Sequence, residues 1–284
     1  MERVWFITGA SRGFGRAFTE EAVKRGDKVI ATVRRVPHDD IFKHPSVLTV
    51  VMDVTKTDEV EKAIKDGMDR FGRIDVLINN AGFGFSGAFE ETTDEDLRNL
   101  FETDYFGVVN VTRRVIPLMR KAGKGVILNV SSQGGLMGFS GSSAYCAAKF
   151  AVVGLSDVLR AELGEFGIAV SAVCPGSFRT DFRSKHSFRN PSARLDAYKD
   201  SSAHKAAKFL AENTYTQTGN PQKAAQFLLD MVEKGNLPPR ILIGAACCRA
   251  MKARYEAELK DIASYEAAAS KTDFGSIIYF GALK

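Results

Sequence analysis

The sequence predicts an α/β fold, a doubly wound parallel sheet of about seven strands with helices on both faces. Three observations predict it. Short apolar runs alternate with helical patterns along most of the 284 residues, as in a parallel sheet with crossover helices. Runs such as Val76-Leu77-Ile78 and Val126-Ile127-Leu128 lack polar alternation, as suits strands covered on both faces. A glycine-rich turn follows the first apolar run and opens directly into a helical pattern.

The first strand is expected at 3–7. Thr8-Gly9-Ala10-Ser11-Arg12-Gly13-Phe14-Gly15 follows, with a helix from about Arg16. Such a turn lets the backbone approach a pyrophosphate, and the helix N-terminus supplies N–H groups and a positive dipole. The spacing is G-x-x-x-G-x-G rather than the commoner G-x-G-x-x-G. Alone it fits a plain strand-to-helix turn; its place after the first strand argues for a dinucleotide. The second strand, 28–33, ends in Arg34-Arg35. An NAD site usually has an acid there for the ribose 2′-OH. None is present, and Arg34 with Arg12 is placed to meet a 2′-phosphate. This favours NADP(H), against two merely solvated arginines. Further strands are expected at 47–51, 74–78, 125–130, 168–173 and 240–243. A long helix ends at Lys121 and closes with Gly123.

Tyr145 and Lys149 stand four residues apart in Ser-Ala-Tyr-Cys-Ala-Ala-Lys, and Ser132 precedes the tyrosine by thirteen. Positions i and i+4 share a helix face, so phenol and ammonium can line one pocket. A neighbouring cation stabilises phenolate and lowers the tyrosine pKa. With a serine hydroxyl to hold a substrate oxygen, this is a proton-transfer site for a carbonyl or an alcohol.

These motifs resemble, in order and spacing, the short-chain dehydrogenase/reductase family. They are Thr8 to Gly15, Asp53-Val54, Asn79-Asn80-Ala81-Gly82, Asn129-Val130-Ser131-Ser132, Tyr145 with Lys149, and Pro175-Gly176 followed by Thr180. The resemblance is strong over about 3–180 and implies a Rossmann-type sheet binding NADP(H). By the same resemblance, Gly9, Ser11, Arg12, Gly13, Phe14 and Gly15 would form the pyrophosphate turn, and Arg34 and Arg35 the 2′-phosphate end. Asp53 and Val54 would meet the adenine, and Asn80, Ala81 and Gly82 would run beneath the ribose. Pro175, Gly176, Phe178 and Thr180 would hold the nicotinamide. Tyr145 would be the acid–base, Ser132 the donor to the carbonyl with Ser131 as alternative, and Lys149 the partner that lowers the tyrosine pKa and binds the nicotinamide ribose. One position departs: the family's usual asparagine in a water relay to the lysine aligns with Asp104. The expectation is a working relay in which Asp104 steadies Lys149 or alters the tyrosine.

Composition sets the remaining bounds. Net charge is +5, with no long basic run, which argues against nucleic acid. The four cysteines, Cys146, Cys174, Cys247 and Cys248, have no metal spacing and read as reduced thiols of a cytoplasmic protein. No metal, signal peptide or membrane span is expected. The chain is read as one catalytic domain, 1–284, with a substrate lid at 182–221 and a tail at 265–284. Within the lid a helix is expected from Leu195 to Asn213. Arg183, Lys185, His186 and Arg189 there are read as a solvated face in preference to an anion site. The loops Phe83-Gly84-Phe85 and Gly134–Phe139 are expected to be flexible and apolar, suiting a bulky apolar carbonyl or alcohol. The resemblance further implies a homodimer or homotetramer through helices near 97–121 and 145–166. Two rivals are a non-catalytic NADP(H)-binding sensor or scaffold, and an isomerase or dehydratase that retains its cofactor.

Overall fold

The computed structural model describes residues 2–184 and 186–274. The strands in chain order are β1 (Val4–Thr8), β2 (Lys28–Val33), β3 (Val47–Val51), β4 (Val76–Asn79), β5 (Gly84–Phe85), β6 (Gly125–Val130), β7 (Ile168–Pro175), β8 (Phe188–Arg189) and β9 (Arg240–Ile243). Seven of them form one sheet in the order β3-β2-β1-β4-β6-β7-β9, and β5 pairs with β8. Every pairing is parallel. The helices are α1 (Gly13–Lys24), α2 (Thr57–Phe71), α3 (Asp94–Phe101), α4 (Gly107–Ala122), α5 (Ser143–Gly164), α6 (Ser202–Glu212), α7 (Pro221–Lys234) and α8 (Ala245–Ala269). A π-turn, Glu102–Phe106, joins α3 to α4.

Every residue of β1 is buried, and the two-residue period of a strand sorts them. Trp5 and Ile7 join Val29, Val76 and Leu128 on one face, with Phe18 of α1 and Leu228 of α7. Val4 and Phe6 join Ile30, Leu77 and Ile127 on the other, with Val60 of α2 and Val111 of α4. Both faces are covered, so the strands read as unbroken apolar runs. Burying a side chain such as Phe6 contributes about 1.5–3 kcal/mol. The Trp5 indole N–H donates to Asp27 Oδ2 at 2.8 Å, which removes the cost of burying that donor. The strand order reverses between β1 and β4, so a crevice opens beyond their carboxyl ends, where ligands bind in open α/β sheets.

Three local expectations change. The fourth strand is Val76–Asn79, not 74–78. The helix expected from Leu195 begins only at Ser202, because the Ser201 hydroxyl accepts the His204 N–H at 3.2 Å and caps it. The Phe83-Gly84-Phe85 segment is partly strand rather than flexible loop. Gly84 makes this pairing possible, since a Cβ there would lie 2.4 Å from the Phe188 ring. The chain divides into two compact units, Met1–Gly244 and Ala245–Lys284. The first holds both sheets. In the second, α8 runs through residue 269 of the expected tail, whereas Ile277-Ile278-Tyr279-Phe280 lies outside the described residues. Among the described residues no helix is long and apolar enough to cross a membrane.

Candidate active site

The glycine turn is held by β4. Thr8 Oγ1 accepts the backbone N–H groups of Asn80 and Ala81, both at 2.9 Å. The Asn80 amide donates to the carbonyls of Thr8 at 2.9 Å and Gly9 at 3.1 Å. Gly9 and Gly13 take positive φ, 66° and 55°, a conformation that favours glycine. A Cβ on Gly15 would lie 2.4 Å from the Gly9 carbonyl oxygen. The first turn of α1 has no acidic residue and no side-chain cap, so its N–H groups are open to an anion. This cradle fits the pyrophosphate of a dinucleotide.

The other expected cofactor residues surround the cradle unevenly. Thr180 comes against the turn, 3.5 Å from a Cβ built on Gly13. Phe178 packs on Phe14 with ring centroids 5.0 Å apart. The Gly176 N–H donates to the Ile243 carbonyl at 3.0 Å, which fixes the exit from Pro175. Asp53 Oδ1 accepts from the Thr55 N–H and hydroxyl at 2.9 and 2.8 Å, and Val54 is buried beside it. Arg34 and Arg35 are exposed at the end of β2; neither has an ion-pair partner among the described residues. Ser11 is partly exposed. Arg12 turns toward the lid, its guanidinium donating to the His186 carbonyl at 3.1 Å.

The residues expected to transfer protons converge at the carboxyl ends of β4 and β6. Ser132 follows β6, its Oγ accepting the Gly134 N–H at 3.0 Å, and it hydrogen-bonds with Tyr145. Ser131 is spent on structure: its hydroxyl donates to the Lys149 carbonyl at 2.9 Å. Tyr145 and Lys149 lie on one face of α5, with Nζ 5.8 Å from the phenol ring centroid. Lys149 is buried, donates to the Val130 carbonyl at 3.2 Å, and pairs with Asp104 at 3.0 Å. Asp104 sits in the π-turn, an insertion often found at functional sites, and its Oδ1 accepts the Phe83 N–H at 3.0 Å.

Charge and burial oppose each other here. Burial pushes the Tyr145 phenol above its ordinary pKa, against the pull of the Lys149 ammonium and the Ser132 hydrogen bond. Burial also works against the Lys149 charge, yet Asp104 and Tyr145 together hold that ammonium above its ordinary value. Cys146 is buried in the next position and its thiol is raised by burial, which fits a packing residue.

Two aromatic residues of the segment expected as a lid pack on this centre. Phe182 stands on Tyr145 at 5.9 Å, and Phe188 meets Phe182 at 6.3 Å. Arg189 lies over the Phe83 ring, 4.1 Å from its centroid. Arg183 is tied to the Ser177 hydroxyl at 3.1 Å. Glu91 fastens the rest: its carboxylate accepts from the Leu195 N–H at 2.8 Å and meets His204 Nε2 at 2.8 and 3.0 Å. No sequence pattern marks Glu91, whose partners Leu195 and His204 lie over a hundred residues away. Burial alone would raise its pKa, but the Leu195 N–H, His204 and Ala88 N–H hold it below the ordinary glutamate value. A depressed carboxylate stabilises the fold above its unfolded pKa and loses that contribution as pH falls through the folded one. Glu91→Gln is therefore expected to raise amide exchange over 195–212 about tenfold or more, the worth of one charge-assisted hydrogen bond. The same loosening is expected in the parent protein below about pH 4. Hydrogen exchange at neutral and acid pH checks both.

Comparison with known proteins agrees with this architecture. Residues 3–190 match the family model described as short chain dehydrogenase. The chain is 38% identical to the oxidoreductase BOA17 of Botryotinia fuckeliana over 86% of its length and 89% of that protein. It is 37% identical to a 3-ketodihydrosphingosine reductase of Bacteroides thetaiotaomicron, over 85% of its length and 88% of that protein. The crystal structure of a short-chain dehydrogenase from Streptomyces avermitilis superposes with a TM-score of 0.89 at 37% identity, covering 96% of this chain and all of that one. Two more distant solved relatives hold nicotinamide cofactors. One, from Burkholderia phymatum, is in complex with NAD (25% identity, TM-score 0.78, 91% of this chain and 95% of that one). The other, ElxO, has NADP bound (27% identity, TM-score 0.69, 85% and 96%). With two thirds of its length matched by the family model and close relatives along most of the rest, the chain belongs to the short-chain dehydrogenase/reductase family of oxidoreductases.

Proposed function

We propose that this protein is an NADP(H)-dependent carbonyl reductase that interconverts a bulky, apolar ketone or aldehyde and its alcohol. The observation that carries the reading is the meeting of Ser132, Tyr145 and Lys149 beside the glycine cradle. The N–H groups at the start of α1 would hold the pyrophosphate, Asp53 and Val54 the adenine, and Thr180 with 175–178 the nicotinamide end. NADPH, when bound, supplies the hydride. Ser132 Oγ and the Tyr145 hydroxyl hydrogen-bond the substrate oxygen. Tyr145 gives that oxygen its proton in reduction and takes it back in oxidation. The Lys149 ammonium offsets the phenolate charge that reduction creates and oxidation consumes.

The preference for NADP(H) rests on Arg34 and Arg35, exposed at the end of β2 where no acid stands. Arg34→Ala is expected to lower kcat/KM with NADPH by about 10–100-fold while leaving NADH little changed, since a hydrogen bond to a charged group is worth about 1.5–3 kcal/mol. The apolar substrate is supported by Phe83 and Phe85, buried in a cluster against which Tyr145 packs, and by Phe182 over Tyr145. The bacterial relative is named for a ketone on a sphingoid base, which is in keeping with such a pocket. An oligomer joined along α4 and α5 belongs to the same proposal, with Phe150 and Val158 exposed on α5 and Phe106 exposed just before α4. The test is oxidation of NADPH and of NADH against a panel of apolar ketones and aldehydes. NADPH-dependent turnover is expected. Equal or better turnover with NADH overturns the cofactor assignment. Tight NADPH binding with no turnover on any carbonyl overturns the reductase.

A further inference from the structure

An ionised Asp104 places a negative charge where a neutral amide would only donate or accept hydrogen bonds. Its side chain has no solvent exposure. Oδ2 lies 3.0 Å from Lys149 Nζ, and Oδ1 accepts the Phe83 N–H at 3.0 Å. Oδ1 thus accepts a hydrogen bond and Oδ2 lies against a cation, surroundings that suit the ionised carboxylate. Gly82 makes the approach possible, since a Cβ there would lie 2.9 Å from Oδ2. The ammonium is thereby pinned between this carboxylate and the Val130 carbonyl, 3.2 Å away.

Seen from Tyr145, a lone ammonium is a monopole that draws the phenol toward phenolate. An ammonium with a carboxylate at 3.0 Å is a dipole, whose field falls faster with distance. We propose that Asp104 is a positioning residue whose ion pair with Lys149 cancels part of the lysine's pull, so that Tyr145 remains a proton donor at higher pH than it would beside a neutral residue 104. The inference rests on Tyr145 being the acid–base group, and it sets the pH range in which the protein favours reduction.

The groups that face the centre are few. Lys149 and Cys146 face Tyr145 from α5, Asp104 from the π-turn, and Ser132 from the segment after β6; the lid offers the apolar Phe182. Arg189 of β8 acts on Asp104, and Cys174 of β7 on Lys149. Of these, Asp104 and Cys146 raise the phenol and Lys149 and Ser132 lower it. Burial holds the Asp104 carboxyl above its ordinary value, against the opposing pull of Lys149, the Phe83 N–H and Arg189.

The test is an ultraviolet titration of phenolate in the parent protein and in Asp104→Asn. The chain has seven tyrosines, so each curve is taken as the difference from the same protein carrying Tyr145→Phe. The Tyr145 phenolate is expected about one pH unit lower in Asp104→Asn, and the alkaline limb of the reduction rate is expected to move with it. Coincident titrations, or a shift to higher pH, overturn the proposal. If circular dichroism shows that Asp104→Asn does not fold, Asp104→Ser carries the same comparison. The titration needs no substrate, so a carbonyl panel that fails leaves it standing. A Tyr145→Phe variant that still turns over would instead sink the acid–base reading itself.

Discussion

Tyr145→Phe is expected to bind NADPH like the parent protein and to lose roughly 10²–10⁴ in kcat, the usual worth of a positioned general acid. The substitution removes one oxygen and keeps the ring. That ring packs on Phe182 at 5.9 Å and stands beside Lys149 Nζ at 5.8 Å, so the lid and the ammonium retain their support. The glycine cradle is built from Thr8, Asn80 and the backbone, none of which touches the phenol oxygen. The expected signature is therefore a split, with cofactor affinity measured by fluorescence titration unchanged and turnover lost. A kcat within a few-fold of the parent would remove Tyr145 from the chemistry. Loss of both binding and turnover would assign the tyrosine to the shape of the pocket.

The parts of the fold and site that were legible in the sequence are those fixed by local pattern. Unbroken apolar runs are a direct consequence of a sheet covered on both faces, and β2, β3, β6 and β9 fall where those runs do. Tyr145 and Lys149 were legible because an i, i+4 pair on a helix shares a face whatever surrounds it. Ser132 is preferred to Ser131 by spacing alone in the sequence; in the structure the Ser131 hydroxyl donates to the Lys149 carbonyl, a contact that spacing does not reveal.

What was not legible depends on contacts between distant segments. β5 and β8 are two residues each and exist only because they pair across about a hundred positions. Glu91 joins the lid through partners that no local pattern could nominate. Asp104 stood out as a departure in the sequence, but its direct pairing with Lys149 depends on the π-turn and on the bare backbone of Gly82. Arg12 is expected from its place in the turn to meet a phosphate, whereas its hydrogen bond to the His186 carbonyl joins segments more than a hundred residues apart and has no local signature.

Gly15→Ala and Gly154→Ala introduce the same methyl group into two helices and are expected to act in opposite directions. At Gly15 a Cβ would lie 2.4 Å from the Gly9 carbonyl oxygen, 2.6 Å from Asn80 Nδ2 and 2.9 Å from the Gly9 carbonyl carbon. These atoms cannot simply give way, because the Asn80 amide is donating to both Thr8 and Gly9, and Thr8 Oγ1 fixes the next peptide. Overpacking of this kind costs about 1–3 kcal/mol. For a protein of this size that is a fall of roughly 2–10 °C in Tm. The displaced turn carries the N–H groups of the cradle, so NADPH affinity is expected to fall at least tenfold in the same variant. Gly154 lies exposed within α5, with nothing within 4 Å of an added Cβ and no positive φ. There alanine relieves the entropic cost of a helical glycine and is expected to stabilise the single subunit by about 0.5–1 kcal/mol, with NADPH binding unchanged. Calorimetry and cofactor titration on the two variants separate a steric requirement at the cradle from a general effect of the substitution. Parent-like affinity in Gly15→Ala would mean that the cofactor does not depend on this turn. A matching loss in both variants would mean that the clash at Gly15 is not its cause.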